Sequence, residues 1–231
     1  MRCGAYVHPI GGRTTIPPLS KTPTSQDCRP RKKARDALIG EAAGTSDWVL
    51  GFQDECWWTR LAQPGLSSWT GGDPLRLGAK ARDPKPSAER EAVACYGVLR
   101  ADTGGMMLRF VEGRPVSGVT EEFLGWVCRE LAAEGKKVFA LVWDNASWHV
   151  SKRVRRWIDA HNAQVGREGG CGIRVCGLPV KAPWLNRIEP KWMHGKRAVA
   201  EPTRKLAGAE LKQRVYEYFG CAPTPDLQQA A

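Results

Sequence analysis

The stretch Lys137-Val138-Phe139-Ala140-Leu141-Val142-Trp143-Asp144-Asn145 decides the fold. Its near-continuous apolar run is typical of a strand that is buried on both faces in the middle of a sheet. The run ends at Asp144, and a charge directly after a buried strand must reach water or bind a cation. The stretch therefore predicts an α/β sheet with a carboxylate at the end of its central strand.

Further elements are predicted on both sides of this strand. Four more apolar runs predict strands at Trp48–Gln53, Ala92–Leu99, Met106–Val111 and Gly172–Cys176. Helical spacing of apolar residues predicts helices over Thr120–Glu134, Ser151–Asn162, Trp184–Val199 and Leu206–Phe219. Three strands followed by alternating units give an α/β fold, a mixed five-stranded sheet with helices on both faces.

Composition divides the chain into three parts. Residues 1–45 are rich in Pro and basic residues and predict a poorly structured leader, with no more than a short helix from Pro30 to Leu38. Residues 46–220 hold the predicted domain, and residues 221–231 are a tail.

The net charge of +11 is unevenly distributed, because residues 136–214 hold 17 basic and 6 acidic residues. This excess indicates a face for a polyanion such as nucleic acid, and the alternative is a solvated basic surface. The candidate phosphate contacts lie on two predicted helices and are Lys152, Arg153, Arg155 and Arg156 on one and Lys191, Lys196 and Arg197 on the other.

Several classes of protein are not indicated. No run of 18 apolar residues predicts a membrane span, and the first residues show no secretory signal. The eight Cys are scattered without a CxxC pair, so we expect buried thiols in a reducing cytoplasm rather than a zinc site.

Three carboxylates are candidates for chemistry, although each has a structural alternative. Asp54 and Asp144 each follow a predicted strand, and a single such Asp can simply begin a loop. Glu189 stands three residues after Asn186, which is capping-box spacing, although Pro190 disfavours helical backbone at Glu189.

Three motifs resemble those of the DDE transposases of mariner-like bacterial insertion sequences. Trp143-Asp144-Asn145-Ala146-Ser147-Trp148-His149 resembles their D-N-x-x-x-H signature. Leu178-Pro179 and the block Pro183–Trp192 resemble their L-P and S-P-x-L-N-P-I-E-x-x-W segments, and Phe52-Gln53-Asp54-Glu55 resembles their F-x-D-E. The resemblance covers about residues 46–215.

The resemblance implies a ribonuclease-H-like fold in which Asp54, Asp144 and Glu189 are the catalytic residues and bind two Mg²⁺ or Mn²⁺ ions. Such hard cations prefer oxygen ligands, and two of them can stabilise the attacking and leaving oxygens of an in-line displacement. The implied activity is DNA strand cleavage and strand transfer. The implied partner is double-stranded DNA, both element ends and target, for a cytoplasmic, nucleoid-associated protein.

By position, Asn145, His149 and Asn186 are candidates for orienting the ligands or contacting a phosphate. The alternative for His149 is a residue that begins a helix near the edge of the sheet. Glu55 adjoins Asp54 but should point to the opposite face of a strand, so we do not expect it to be a ligand.

The chain departs from the family pattern in three places. Arg187 replaces the usual Pro, and Asp144 and Glu189 lie 45 residues apart, with the extra length expected in a surface loop over Gly166–Gly172. The family also has helix-turn-helix modules before the catalytic core. Only about 45 residues precede it here, so we expect a truncated copy or the second frame of a split gene.

The leading interpretation is a transposase core, which we expect to be partnered by a second copy and by an upstream helix-turn-helix polypeptide. Two alternatives stay open. The chain is otherwise a catalytically silent DNA-binding remnant of a transposase, or a different ribonuclease-H-like nuclease.

Overall fold

The structure is a computed structural model that describes residues 28–60, 65–67, 75–77, 90–179, 182–201 and 204–228. Its strands are β1 (Trp48–Thr59), β2 (Gly65–Ser67), β3 (Leu75–Leu77), β4 (Ala92–Arg100), β5 (Met106–Glu112), β6 (Val138–Trp143), β7 (Gly172–Gly177) and β8 (Leu227–Gln228). Its helices are α1 (Cys28–Ala43), α2 (Ser117–Ala133), α3 (Lys152–Glu168), α4 (Glu189–Val199) and α5 (Gly208–Phe219), with a 3-10 turn at Pro183–Leu185.

The main sheet has the strand order β7-β6-β1-β4-β5-β8. The β1–β4 and β4–β5 pairs are antiparallel, whereas β1–β6, β6–β7 and β5–β8 are parallel. This arrangement confirms the predicted mixed α/β sheet. Counted over the described residues, it has six strands rather than five, because Leu227 and Gln228 continue it beyond β5. Strands β2 and β3 form a separate hairpin.

Alternating side chains of β1 enter two hydrophobic clusters on opposite faces of the sheet. Leu50, Phe52, Cys56 and Trp58 pack in one cluster with residues of α1, α4 and α5. Val49 packs in the other, with residues of α2 and α3. The sheet is therefore covered on both faces, as the sequence predicted, and each face of β1 is directed at a different set of helices.

Strand β1 is longer than its parallel neighbour. It pairs with β6 only as far as Phe52, opposite Val142, but it pairs with β4 as far as Thr59. The prediction that β1 ends at Gln53 is wrong, because Cys56 and Trp58 are buried and hold the extra residues against the core. Asp54 consequently lies inside a strand, just beyond the end of the β1–β6 ladder.

Helix α1 corrects the prediction of a poorly structured leader over residues 28–43. Leu38 and Ala42, one turn apart, are buried in the same cluster as Phe52. Arg35 donates a hydrogen bond to the carbonyl of Leu185 at 3.1 Å. The rest of the predicted leader lies outside the described residues, as do residues 229–231 of the predicted tail. The domain boundaries themselves stay a prediction.

Helix α3 begins as predicted, with the Ser151 hydroxyl accepting a hydrogen bond from the Val154 amide at 3.2 Å. It ends later than predicted, at Glu168, where Gly169 has a φ of 84°. The Asn162 side chain bonds both the amide and the carbonyl of Ile173 in β7, at 2.7 and 2.8 Å. These bonds hold the helix along β7. The loop expected over residues 166–172 is therefore shorter, because α3 continues to Glu168 and β7 begins at Gly172.

Across the described part of the chain, no helix is both long enough and apolar enough to span a membrane.

Candidate active site

Asp144 follows β6 and has its side chain fixed from one side. Its Oδ1 accepts hydrogen bonds from the Ala146 amide at 2.9 Å and from Nδ1 of His149 at 2.8 Å. The side chain is about half exposed, and within the described residues no donor contacts Oδ2. Burial alone would raise the pKa of Asp144, but the bonds from His149 and Ala146 outweigh it and lower the pKa. Asp144 is thus held as a carboxylate with one free oxygen.

His149 lies between two carboxylates and is fully buried. Its Nδ1 bonds Asp144, its Nε2 lies 2.8 Å from Oε1 of Glu55, and its ring stacks on Trp143 with the centroids 4.5 Å apart. Burial lowers the pKa of His149, but the Glu55 charge and the bonds to both carboxylates raise it to about 9. His149 is therefore an imidazolium that donates from both nitrogens.

Glu55 points away from Asp54, as the alternation of a strand predicts. Its side chain is only 7 % exposed, and it accepts a second hydrogen bond from Nε2 of Gln53 at 2.9 Å. Strand alternation predicts that Glu55 is not a ligand beside Asp54, but it predicts no partner for Glu55. Its partner His149 is 94 residues distant in the chain, and no local pattern indicates the pair.

Asp54 occupies the opposite face, under α4. Its Oδ2 accepts a hydrogen bond from Nε1 of Trp192 at 3.2 Å. Burial, followed by the charges of Glu55, Glu189 and Asp144, raises the pKa of Asp54 to about 8. Trp192 fits over β4 because position 97 is a glycine, where a Cβ atom would lie 2.4 Å from the indole ring.

Glu189 is the first residue of α4, and the capping-box interpretation of its position is wrong. The residue that caps α4 is Ile188, which provides no side-chain cap. The buried Asn186 side chain instead donates to the carbonyl of Gln53 at 2.9 Å and so ties this turn to β1 beside Asp54. Burial and the Asp144 charge raise the pKa of Glu189, and Lys196 opposes that shift.

Asn145 links the loop after β6 to the segment that follows β7. Its side chain donates to the carbonyl of Leu178, whose amide in turn donates to the carbonyl of Trp143 at 2.8 Å. The loop after β6 is therefore fastened to the segment that leads from β7 toward α4.

The three sequence-predicted carboxylates come from β1, the end of β6 and the start of α4, and they are near enough for their charges to act on one another. Among the described residues, no three His, Cys, Asp or Glu side chains form a ready-made metal cluster. The donor set nevertheless suits a hard divalent cation, because all three are oxygen ligands and a positive charge would offset the burial and the neighbouring carboxylate charges that raise the pKa of Asp54.

The predicted basic residues fall into two groups on opposite faces of the sheet, on α3 and on α4. Arg153 of α3 is already paired with Glu121, through two bonds of 2.9 Å. Lys196 of α4 lies near the Cys56 thiol, and its charge acts on Glu189. Of the predicted basic residues, Lys196 is the one whose charge lowers the pKa of a site carboxylate among the described residues, that of Glu189.

Comparison with known proteins gives a family and a fold. The family model described as DDE superfamily endonuclease matches residues 71–210, more than half of the chain. No curated protein matches significantly. Among solved structures, the Mos1 transposase paired-end complex with left transposon end matches with a TM-score of 0.59 at 17 % identity, over 92 % of this chain and 60 % of that one.

Two further structures agree. The Mos1 strand transfer complex matches with a TM-score of 0.55 at 16 % identity, over 92 % of this chain and 59 % of that one. The catalytic domain of Mos1 mariner transposase matches with a TM-score of 0.51 at 13 % identity, over 88 % and 86 %. The chain thus spans about 60 % of the longer Mos1 chains, and its fold is the ribonuclease-H-like fold of that catalytic domain. By the match over residues 71–210, the chain belongs to the DDE superfamily endonucleases.

Proposed function

We propose that this chain is a transposase catalytic core that cleaves DNA strands and transfers them to new sites, with Asp54, Asp144 and Glu189 as its catalytic residues. The observation that carries the proposal is that β1, the end of β6 and the start of α4 bring Asp54, Asp144 and Glu189 close enough for their charges to act on one another. Such crowding of acidic groups is costly for a fold and is typical of functional sites. The family membership supports an endonuclease.

Asp54, Asp144 and Glu189 would hold two Mg²⁺ or Mn²⁺ ions. Bound ions of this kind stabilise the attacking and leaving oxygens of a phosphodiester displacement. The protein's part is to position the oxygens. Trp192 fixes Oδ2 of Asp54, His149 and Ala146 fix Oδ1 of Asp144, and Asn186 holds the turn before Glu189 against β1. Asn145 keeps the loop after β6 in place.

The DNA would lie along α4, where Lys191, Lys196 and Arg197 are exposed and where the charge of Lys196 acts on Glu189. Lys152, Arg155 and Arg156 of α3 are available for a second stretch of duplex, and Arg153 can join them only by leaving Glu121. The Mos1 structures include transposon ends and a strand transfer complex, which supports element ends and target DNA as partners. We extend the proposal to a homodimer, an upstream helix-turn-helix polypeptide and association with the nucleoid.

Plasmid nicking tests the proposal. The purified chain is incubated with supercoiled plasmid and Mg²⁺ or Mn²⁺, and the appearance of nicked circles is measured. We expect metal-dependent nicking that falls at least about 1000-fold in Asp144→Asn, because the substitution removes a charged ligand. Asp47→Asn is the matched control, since the Asp47 carboxylate forms an exposed ion pair with Lys137 away from the site.

The joining step needs a second substrate. A labelled duplex with a free 3′-hydroxyl end is added, and covalent transfer to the plasmid is measured on a denaturing gel. If neither cleavage nor joining occurs at any metal concentration while DNA is still bound, the chain is a catalytically silent DNA-binding remnant. Preferential digestion of an RNA–DNA hybrid would instead identify a different ribonuclease-H-like nuclease.

A further inference from the structure

We infer that Glu55 is a positioning residue for Asp144 and acts on it through His149. The inference rests on the proposed function, because it assumes that Asp144 is a metal ligand. It adds to the three carboxylates of the site a fourth acidic residue, one that lies on the face of the sheet opposite Asp54 and does not itself contact metal or DNA.

The link begins where backbone pairing stops. Strand β1 pairs with β6 only as far as Phe52, so no ladder hydrogen bond joins Glu55 to the segment that carries Asp144. His149 spans this opening with two bonds of 2.8 Å, from Nε2 to Glu55 and from Nδ1 to Asp144. A side-chain bridge therefore continues the connection between the two strands beyond the end of their ladder.

Among the described residues, His149 is the one cationic partner of the Glu55 carboxylate. That carboxylate is 7 % exposed, and within the described residues no Lys or Arg pairs with it. Its only other donor there is the neutral amide of Gln53. A buried carboxylate is costly unless its hydrogen bonds are satisfied, so burial of Glu55 in this chain depends on its bond from His149.

The consequence for Asp144 is geometric. His149 cannot rotate freely, because both of its nitrogens are bonded and its ring is stacked on Trp143 with an interplanar angle of 8°. The ring therefore fixes Oδ1 of Asp144, which also receives the Ala146 amide. Oδ2 is left as the oxygen available to a cation. Partners that orient a ligand in this way contribute roughly 10–100-fold in metal affinity.

Two conservative replacements separate the hydrogen bond from the charge. Glu55→Gln keeps an oxygen at the right reach for Nε2 of His149 but removes the negative charge. Glu55→Asp keeps the charge but is one methylene too short to reach the ring. Glu55→Ala and His149→Ala remove the bridge. Glu121→Gln is the matched control, because the Glu121 carboxylate is also mostly buried but pairs with Arg153 away from the site.

The measurement is Mn²⁺ binding by the full chain, followed by the electron paramagnetic resonance signal of free Mn²⁺ without DNA. We expect the Mn²⁺ Kd to rise roughly 10–100-fold in Glu55→Ala, Glu55→Asp and His149→Ala. It should rise less than about fivefold in Glu55→Gln and stay unchanged in Glu121→Gln. In nicking assays, the Mn²⁺ concentration for half-maximal rate should follow the same order, while the KM for plasmid DNA stays constant in the Glu55 and His149 variants.

The outcomes distinguish the two proposals. If wild type binds Mn²⁺ in this order of variants but cuts no DNA, the proposed function fails and the inference stands. If wild type cuts DNA but Glu55→Asp and Glu55→Ala bind Mn²⁺ within twofold of wild type, the inference fails alone. Equal losses in Glu55→Gln and Glu55→Ala would also overturn it, because charge and not the hydrogen bond would then act. Absence of Mn²⁺ binding by wild type overturns both.

Discussion

Replacing Asp54 by asparagine should make the metal-free protein more stable at alkaline pH. Asparagine has the same shape and can still accept the hydrogen bond from Trp192, but it carries no charge. The pKa of Asp54 rises from 3.8 to about 8 on folding, chiefly through burial and then through Glu55, Glu189 and Asp144. The folded chain therefore keeps a proton between pH 4 and pH 8 that the unfolded chain has lost, and its stability falls across that range.

The size of the effect follows from the same pKa values. At about 1.4 kcal/mol for each pH unit, the change from 3.8 to about 8 sets an upper limit of roughly 5–6 kcal/mol. Water that reaches the carboxyl in local openings reduces this cost, so we expect Asp54→Asn to gain roughly 2–5 kcal/mol above pH 8. A gain of that size raises the melting temperature by at least about 4 °C in a chain of this length.

The assay is urea unfolding from pH 4 to pH 9 in the presence of EDTA, with wild type, Asp54→Asn and the surface control Asp47→Asn. His149, whose pKa is raised to about 9, also loses its contribution to stability as pH rises from 6.5 through 9. That loss is common to all three proteins, so the difference between Asp54→Asn and wild type isolates Asp54. The reasoning is refuted if the difference does not grow with pH, or if Asp54→Asn is the less stable protein at pH 9. Added Mn²⁺ should stabilise wild type and not Asp54→Asn, because only wild type retains the ligand.

Three further predictions concern the surroundings of the carboxylates. Gly97→Ala places a Cβ atom 2.4 Å from the Trp192 ring, so it should cost roughly 1–3 kcal/mol in urea unfolding and also slow nicking; normal stability together with normal nicking would contradict this packing. Asn186→Ala leaves the Gln53 carbonyl without its donor and should cost roughly 1–3 kcal/mol by the same assay, so a loss below about 0.5 kcal/mol would show that the bond is dispensable. Lys196→Gln and Arg197→Gln should each lower the slope of log K against log salt for duplex DNA by roughly 1. Arg153→Gln should lower this slope less, because Glu121 already pairs with that guanidinium. An equal decrease of the slope in Arg153→Gln would mean that α3 also contacts the DNA.

The central strand and the residue that follows it could be predicted because both signals are local. Six consecutive apolar residues indicate the burial of β6, and Asp144 directly follows that run in sequence as it does in space. The helices α2, α3 and α5 were predictable for the same reason, since apolar spacing reports which face is buried. Local pattern was therefore enough for the sheet, for its two covered faces and for the elements that carry the three carboxylates.

What could not be predicted depends on contacts between distant segments. The polar pair Asp54-Glu55 looks like the end of a strand, and only the packing of Trp58 against Trp192 and Phe219 shows that β1 continues. Helix α1 is strongly basic and buries few residues, so its sequence resembles a linker until Leu38 and Ala42 are placed in the core. Alternation correctly placed Glu55 on the far face, yet it could not show that a histidine from another loop reaches it there.

The parallel pairing of β1 with β6 also sets when the site can exist. Their register pairs Trp48 with Val138, so a chain segment of about 90 residues separates the two partners. The chain loses the conformational entropy of closing this loop before any hydrogen bond between the two strands can form. Glu189 is synthesised 135 residues after Asp54, which at ribosomal rates of roughly 5–20 residues per second takes roughly 7–27 s. Throughout that interval the nascent chain carries Asp54 without the third carboxylate of the proposed site. The topology thus delays assembly of that site until Glu189 has emerged from the ribosome.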